Sequence, residues 1–179
     1  QIPFWDADDF YWAPTEPPYR TPRPPEARRA ALLAAVEPHP AWVVAGSMMG
    51  WGDALIPAIE LVVYLSIPAE LRLARLRARE RARFGARLDP GGDMHADHLA
   101  FMDWAARYEE GGLDIRSRAS HTRWMQLLDC PVLHLAGDLS PADRLAEVLA
   151  RRGAGRADLA SPTTALADRR AAHAEWPSE

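Results

Sequence analysis

The sequence contains no lysine and no asparagine, so all 21 of its basic residues are arginines. Without lysine the chain has no Schiff-base lysine, no lysine general base and no Walker A loop, because the pattern GxxxxGK[ST] requires that residue. Codon bias towards arginine explains this composition without any special function. The absence of asparagine removes one common residue of turns, caps and ligand sets.

The sequence also has a single cysteine, no long apolar run and no net positive charge. The single cysteine, Cys130, excludes an intrachain disulfide, and its place beside the apolar run at 131–135 predicts a buried, reduced thiol. No apolar run approaches the ~20 residues that span a bilayer, and no signal peptide is visible. The formal charge of −4 argues against nucleic acid as the main partner. We therefore expect a cytoplasmic protein with no nucleic-acid or membrane partner.

The arrangement of apolar segments predicts an α/β fold. The 179 residues, 48% of them hydrophobic, are enough for one domain with a buried core. Short apolar runs predict strands near residues 2–5, 42–45, 61–67 and 131–135. Helical patterns lie between and after them, at 26–36, 69–84, 94–110, 117–128 and 141–152. We expect a proline at the start of the first helix, Gly85 at the end of the second, and caps from Asp93 and Ser140 on the third and the last. The longer apolar runs lack polar alternation, which is typical of parallel strands covered on both faces.

Two segments carry no regular apolar pattern. Residues 13–25 contain six prolines, too many for a helix or a central strand, and predict an extended surface loop. Residues 153–179 have no apolar periodicity and predict a disordered tail. The domain is therefore expected to span residues 1–152.

Several motifs follow one another along the chain. They are DADDFYW (6–12), GSMMGWGD (46–53), RFGARLDPGGDM (83–94), RSR (116–118) and CPVLHL (130–135). Together, over residues 1–150, they resemble the adenylate-kinase-like P-loop ATPases, small-molecule kinases similar to AAA-family ATPases. The resemblance implies a three-layer α/β fold with a five-stranded parallel sheet, a helical lid at about residues 79–118, and ATP and Mg²⁺ as cofactors.

The resemblance also implies that a piece of the family's fold is missing. The first strand, which is central in the family's sheet, the P-loop and the P-loop helix are absent, and the chain opens with Gln1 rather than Met. We expect the parent protein to transfer a phosphoryl group from ATP to a small-molecule acceptor, and this chain alone to be inactive and not to bind ATP. The strands at 42–45 and 61–67 should then be unpaired with each other, or paired in an order foreign to the family.

Carboxylates of the first motif are the candidate catalytic groups. Asp6 and Asp8 alternate along a predicted strand end, so that both would face one side. The resemblance implies that Asp6 holds Mg²⁺ through a water molecule, while Asp8 orients or deprotonates an acceptor hydroxyl. Considered without the family, a solvated strand end or a helix cap explains the same residues.

Arginines are the candidate phosphate-binding groups. Arg79, Arg83 and Arg87 are spaced four residues apart along one helix face and the turn after it, and the resemblance implies that they bind ATP. Arg116 and Arg118 are implied to be catalytic, because guanidinium groups bind phosphate oxygens and stabilise transferring charge. The alternative is a solvated basic face. Its partners would be Glu70, Glu80, Glu109 and Glu110.

Aromatic residues in two of the motifs predict an acceptor pocket. Its candidate members are Asp9, Phe10, Tyr11, Trp12, Trp51 and Asp53. Phe10 and Tyr11 also fit a plain hydrophobic core. His95 and His98, one helical turn apart, form a weak HxxH metal signal, and a capped helix with surface histidines explains them as well.

A second function of a different class fits the same sequence. The helix at 69–84 is rich in arginine and carries a local positive charge. A non-catalytic, P-loop-less binding module would use this helix to contact an anionic partner, such as nucleic acid or another protein. A strand followed by GxxxxGK[ST] upstream of Gln1 would favour the kinase, and a start codon directly before Gln1 would favour the binding module.

Overall fold

The computed structural model describes residues 2–155, with only the backbone for residues 152–155. The chain divides into two compact units, with the boundary between Ile56 and Pro57. Each unit contains one pair of parallel strands and its own helices. Among the described residues, no helix combines the length and the apolar character needed to cross a membrane.

The first unit pairs two short strands with two helices. Its elements are β1 (Phe4–Asp6), α1 (Ala7–Tyr11), α2 (Pro25–Val36) and β2 (Val43–Ala45). β1 and β2 are parallel, with Phe4 opposite Val43 and Asp6 opposite Ala45. A 3₁₀ helix, Asp53–Ala58, crosses the boundary between the units. α2 begins at Pro25 as predicted, because the first helical position needs no backbone N–H donor.

The core of the first unit lies along one face of α2. Leu32 and Val36, one helical turn apart, are buried there. The other buried apolar side chains are Ala7, Met48, Trp51 and Leu55. The proline-rich segment before α2 is a loop, as predicted, but it is not extended, because it turns at residues 16–21 and an antiparallel bridge joins Trp12 to Pro22. It returns to α1, since the Ala13 N–H donates to the Thr21 carbonyl at 2.8 Å.

The second unit contains a longer helical excursion between its two strands. Its elements are β3 (Val62–Ser66), α3 (Ala69–Phe84), α4 (His95–Ala106), α5 (Arg118–Met125), β4 (Val132–Ala136) and α6 (Pro141–Gly155). β3 and β4 are parallel, with Val62 opposite Val132 and Ser66 opposite Ala136. A 3₁₀ helix, Gly85–Leu88, follows α3. Up to residue 151, its buried apolar side chains are Leu88, Met94, Met102, Ala105 and Leu135.

The four strands form two separate pairs. β1 pairs with β2 and β3 pairs with β4, and within residues 2–155 no ladder joins β2 to β3. Of the two alternatives expected for the strands at 42–45 and 61–67, the described residues show the first, in which the strands are not paired with each other. A five-stranded sheet of the kinase type stays a prediction.

Two expectations about the strands are wrong. β1 ends at Asp6 and α1 begins at the next residue, so Asp8 lies in a helix and does not alternate with Asp6 along a strand. The strands are also not covered on both faces, because Phe4, Val43 and Leu65 are 72%, 50% and 52% exposed. A sheet of two strands has too few neighbouring elements to bury both of its faces.

Helix boundaries differ from the predictions at several points. α4 and α5 end earlier than predicted, at Ala106 and Met125, and α6 continues to Gly155. Asp93 does not cap α4, because its carboxylate pairs with Arg87 instead. Most of the predicted disordered tail, from residue 156 onward, lies outside the described residues.

Candidate functional site

The first candidate carboxylate lies where two parallel strands end. Asp6 is the last residue of β1 and caps α1, since its Oδ1 accepts the Asp8 N–H at 3.0 Å. Gly46, which follows β2, has φ +100°, and a Cβ built on it would lie 3.0 Å from the Ala7 Cβ and 3.5 Å from the Asp6 Oδ1. Glycine therefore lets the end of β2 approach Asp6. The carboxyl edge of parallel strands is where open α/β sheets bind their ligands.

Asp8 and Asp9 occupy the first turn of α1, and both are exposed. This position is favourable for acidic residues because of the helix dipole, so part of their role is structural. Mg²⁺ in phosphotransferases needs only one or two carboxylates, since water and substrate phosphates supply its other ligands. The exposed carboxylate of Asp6 fits that requirement. Within residues 2–155 no three His, Cys, Asp or Glu side chains are grouped to hold an ion by themselves.

Aromatic side chains pack around Tyr11, at the end of α1. The Tyr11 ring centroid lies 4.9 Å from that of Trp12 and 5.9 Å from that of Trp51, both in edge-on geometry. Trp12 in turn lies 6.1 Å from Tyr19 in the proline-rich loop. Trp51 is only 9% exposed, and its Nε1 donates to the Ser47 carbonyl at 3.2 Å. The predicted pocket residues Trp12 and Trp51 are thus brought together through Tyr11, and Trp51 also belongs to the core.

Asp53, another predicted acceptor-binding residue, closes the glycine-rich turn. Its Oδ1 accepts the Gly50 N–H at 2.9 Å. Gly50 has φ +79°, a conformation that residues with a side chain rarely adopt. The contact fixes the segment that carries Trp51, so the observed role of Asp53 is to position this ring.

Arg79, Arg83 and Arg87, the predicted ATP-binding arginines, lie in different surroundings in the second unit. Arg79 is exposed, and the Cζ of Arg83 lies 5.5 Å from the ring centroid of Phe84. Arg87 donates from Nε and Nη2 to the two carboxylate oxygens of Asp93, at 2.9 Å and 2.7 Å. A phosphate that bound Arg87 would therefore have to compete with Asp93.

Arg116 and Arg118 stand on either side of the N-cap of α5. The Cζ of Arg116 lies 5.3 Å from the ring centroid of Trp104 on α4. Arg118 is exposed, and its Nη2 lies 3.7 Å from the Glu109 Oε1. Glu109 is one of the glutamates that the basic-face alternative predicted. Convergence of all five arginines on one phosphate stays a prediction.

A groove of about 710 Å³ adjoins Arg118 in the second unit. The strands β3 and β4 and the helix α5 line it. Its polar residues include Tyr64, Ser66, Arg118, Thr122, Gln126 and His134. The groove also reaches Gly137, just beyond β4, whose N–H donates to the Ser66 carbonyl at 2.8 Å. Such a lining of apolar surface with a few hydroxyl, imidazole and guanidinium groups suits a polar or anionic small molecule.

Comparison with known proteins places the chain in a family. A protein of Bacillus subtilis (strain 168), described as "Uncharacterized protein YqaC", is 38% identical to it over 144 residues, which is 80% of this chain and 79% of the relative. The chain belongs to the YqaC family. No family model matches it, and no solved structure matches it significantly.

Arg28 on α2 of this YqaC-family chain is a site residue that the sequence analysis missed. Its Cζ lies 4.2 Å from the ring centroid of Tyr11 and 5.8 Å from that of Trp51. Its Nε and Nη1 are buried and have no hydrogen-bond partner among the described residues. Cation–π attraction stabilises such a pair by about 0.5 to 2 kcal/mol, but it does not satisfy the two buried N–H groups. The sequence itself does not distinguish Arg28 from its exposed neighbour Arg29.

A hydrogen-bonded chain of three side chains was also missed in this YqaC-family member. The hydroxyl oxygens of Tyr64 and Tyr108 are 2.7 Å apart, and the Tyr108 hydroxyl is 2.8 Å from the His121 Nδ1. Burial lowers the pKa of His121, and the nearby Arg116 lowers it further. Burial, together with the hydrogen bond to Tyr64, raises the pKa of Tyr108 well above its usual range. Tyr64 lies in β3, Tyr108 follows α4, and His121 lies in α5. No local sequence motif therefore predicts that these three side chains meet.

Proposed function

We propose that this chain provides the acceptor-binding and phosphate-binding residues of a phosphotransferase that transfers a phosphoryl group from ATP to a small molecule. The observation that carries the proposal is the position of Asp6 at the carboxyl ends of β1 and β2, with Asp8 in the first turn of the helix α1. A strand end that delivers carboxylates to a ligand-binding edge is the arrangement that such chemistry needs.

Asp8 is the proposed general base. Its exposed carboxylate orients the acceptor hydroxyl and takes up its proton as the oxygen attacks phosphorus. Asp6 is proposed to hold a water molecule of Mg²⁺, which supplies charge neutralisation at the phosphates when it is bound with ATP. Arg116 and Arg118 are the proposed groups that stabilise the transferring charge, and Arg79, Arg83 and Arg87 the proposed ATP-binding groups.

Strand pairing supports the same proposal. Both strand pairs are parallel, each pair follows chain order, and pairing breaks between β2 and β3. The groove along one face of β3 and β4 adds a second ligand-sized space with a guanidinium group at its side. We further propose a cytoplasmic location, in keeping with a single cysteine and no disulfide.

The competing proposal, a binding module that uses α3, is supported by the exposed Arg77 and Arg79. Other arginines of that helix, however, are already paired. Arg72 contacts Glu109 at 2.5 Å, Arg75 contacts Asp138, and Arg81 contacts Asp89 at 2.6 Å. Each pair cancels positive charge that an anionic partner would need. We therefore favour the phosphotransferase.

The decisive experiment is an acceptor screen. Protein made from the natural gene, beginning at its own start codon, is incubated with ATP and a panel of hydroxyl-bearing small molecules, with ATP consumption as the readout. Asp8→Ala should abolish transfer and leave the circular dichroism spectrum unchanged, because alanine keeps the backbone N–H by which Asp6 caps α1.

Asp129→Ala is the matched control. Asp129 is exposed and lies between α5 and β4, away from the first unit's carboxylates in sequence, so its removal should leave turnover at the wild-type level. Near-normal turnover in Asp8→Ala would remove Asp8 from the mechanism. A panel without any ATP-dependent transfer would count against the phosphotransferase itself.

A further inference from the structure

Among the arginines that the structure describes, Arg28 and Arg72 have buried side-chain nitrogens without a hydrogen-bond partner. In Arg72 this nitrogen is Nε, but the other nitrogens bind the Ala105 carbonyl at 2.8 Å and the Glu109 carboxylate at 2.5 Å. For Arg28, by contrast, the contacts found among the described residues are the aromatic faces of Tyr11 and Trp51. Aromatic faces attract the positive charge but accept hydrogen bonds only weakly.

The unsatisfied groups of Arg28 have the geometry of an anion receptor. A guanidinium presents adjacent N–H donors in a plane, and Nε with one Nη is a pair that matches two oxygens of a carboxylate or a phosphate. Buried donors are normally satisfied, so a pair of unsatisfied N–H groups on one cation calls for a ligand or another explanation. Arg28 as a whole is only partly buried, so rotation of its long side chain can present these donors to a ligand without unfolding α2.

The surroundings of Arg28 are suited to a small organic anion. Tyr11 lies one helical turn after Asp8, so the guanidinium packs on the same short helix that carries the proposed general base. Trp12 is partly exposed, and beside it lies Tyr19, which is 37% exposed. These two rings offer apolar surface next to the charged group. Tyr19 has φ +63°, an unusual conformation for a bulky residue, as is found at ligand clamps.

We propose that Arg28 binds an anionic group of the acceptor, a carboxylate or a phosphate, while an apolar part of the same molecule packs against Trp12 and Tyr19. The claim that the anion belongs to the acceptor rests on the proposed phosphotransferase function, whereas the anion site itself does not. The proposal narrows the substrate class from any hydroxyl compound to one that carries a negative charge at one end.

Three small probes test the site directly in ligand-observed NMR. Phenyl phosphate and benzoate carry the two candidate anions on the same ring, and benzyl alcohol is the neutral counterpart. We expect at least one of the two anions to bind at least tenfold more tightly than benzyl alcohol, and the tighter anion identifies the group. Equal binding of all three probes, or no binding by any, would overturn the proposal.

Arg28→Met tests the residue, because it removes the charge and keeps much of the apolar stem. The variant should bind the preferred anion at least tenfold more weakly and benzyl alcohol unchanged. Arg29→Met is the matched control, since Arg29 is exposed on the same helix, and it should bind within twofold of wild type. Unchanged anion binding in Arg28→Met would contradict the assignment.

A measurement on wild-type protein covers the case in which Arg28→Met does not fold. Addition of the preferred anion to ¹⁵N-labelled protein should shift the indole N–H signals of Trp12 and Trp51, and absence of any shift would sink the proposal. The acceptor screen separates the two ideas. Anion binding without ATP consumption would leave the site and refute the kinase. Transfer only to uncharged acceptors would support the kinase and refute the claim that the anion bound by Arg28 is part of the acceptor.

Discussion

Replacing Ser117 with alanine tests what holds the two candidate catalytic arginines at the start of α5. Ser117 is 0% exposed. Its Oγ accepts the Ser120 N–H at 3.0 Å and donates to the Gly112 carbonyl at 2.6 Å. Alanine removes both bonds. Loss of the N-cap costs about 1 kcal/mol, and a carbonyl left without its donor costs about 1 kcal/mol more. The free energy of unfolding should therefore fall by about 2 kcal/mol.

Urea unfolding followed by circular dichroism measures this loss, and hydrogen exchange of the Ser120 amide reports on it locally. Ser140→Ala is the control. The Ser140 Oγ caps α6 in the same way, accepting the Asp143 N–H at 3.1 Å and donating to its carboxylate at 2.6 Å. Ser140 is exposed, so water replaces the lost partners and the cost should be about 1 kcal/mol or less. Equal losses in the two variants would refute the reasoning that burial doubles the effect.

Acid should weaken the fold through His121. Burial holds its pKa below the ordinary 6.5, so the unfolded chain binds more protons and the free energy of unfolding falls as the pH drops below 6.5. His121→Gln should flatten this fall between about pH 7 and about pH 5 in urea titrations, and an unchanged slope would contradict it. Burial also raises the pKa of the Cys130 thiol above 9.0, so iodoacetamide should label it more slowly in folded than in urea-unfolded protein. Equal labelling rates would show an accessible, unperturbed thiol.

Local signals in the sequence predicted several elements correctly. Pro25 at the start of α2, Gly85 at the end of α3 and the Ser140 cap of α6 all stand where they were expected. Each depends on the residue and its immediate neighbours: a fixed φ, a permitted positive φ, or a hydroxyl within reach of the next turn. Such preferences act over a few residues and hold in almost any surrounding structure.

Predictions that required knowledge of a neighbour were less successful. Asp8 was predicted on a strand because the run before it is apolar. The Asp6 carboxylate accepts the Asp8 backbone N–H instead, and this cap begins a helix. Asp93 was expected to cap α4, but its carboxylate accepts two hydrogen bonds from Arg87 instead. In both cases two local options compete, and the contacts formed by a nearby group decide between them.

The sequence by itself determined where the strands and most helices lie, and the cluster of carboxylates after β1. These follow from apolar patterns, caps and turn residues, which act along the chain. Only the tertiary structure decided that Arg28 lies against Tyr11 and Trp51, and that Tyr64, Tyr108 and His121 share one hydrogen-bonded chain. Such contacts join residues that are distant in sequence, and their energy depends on burial, which packing alone creates.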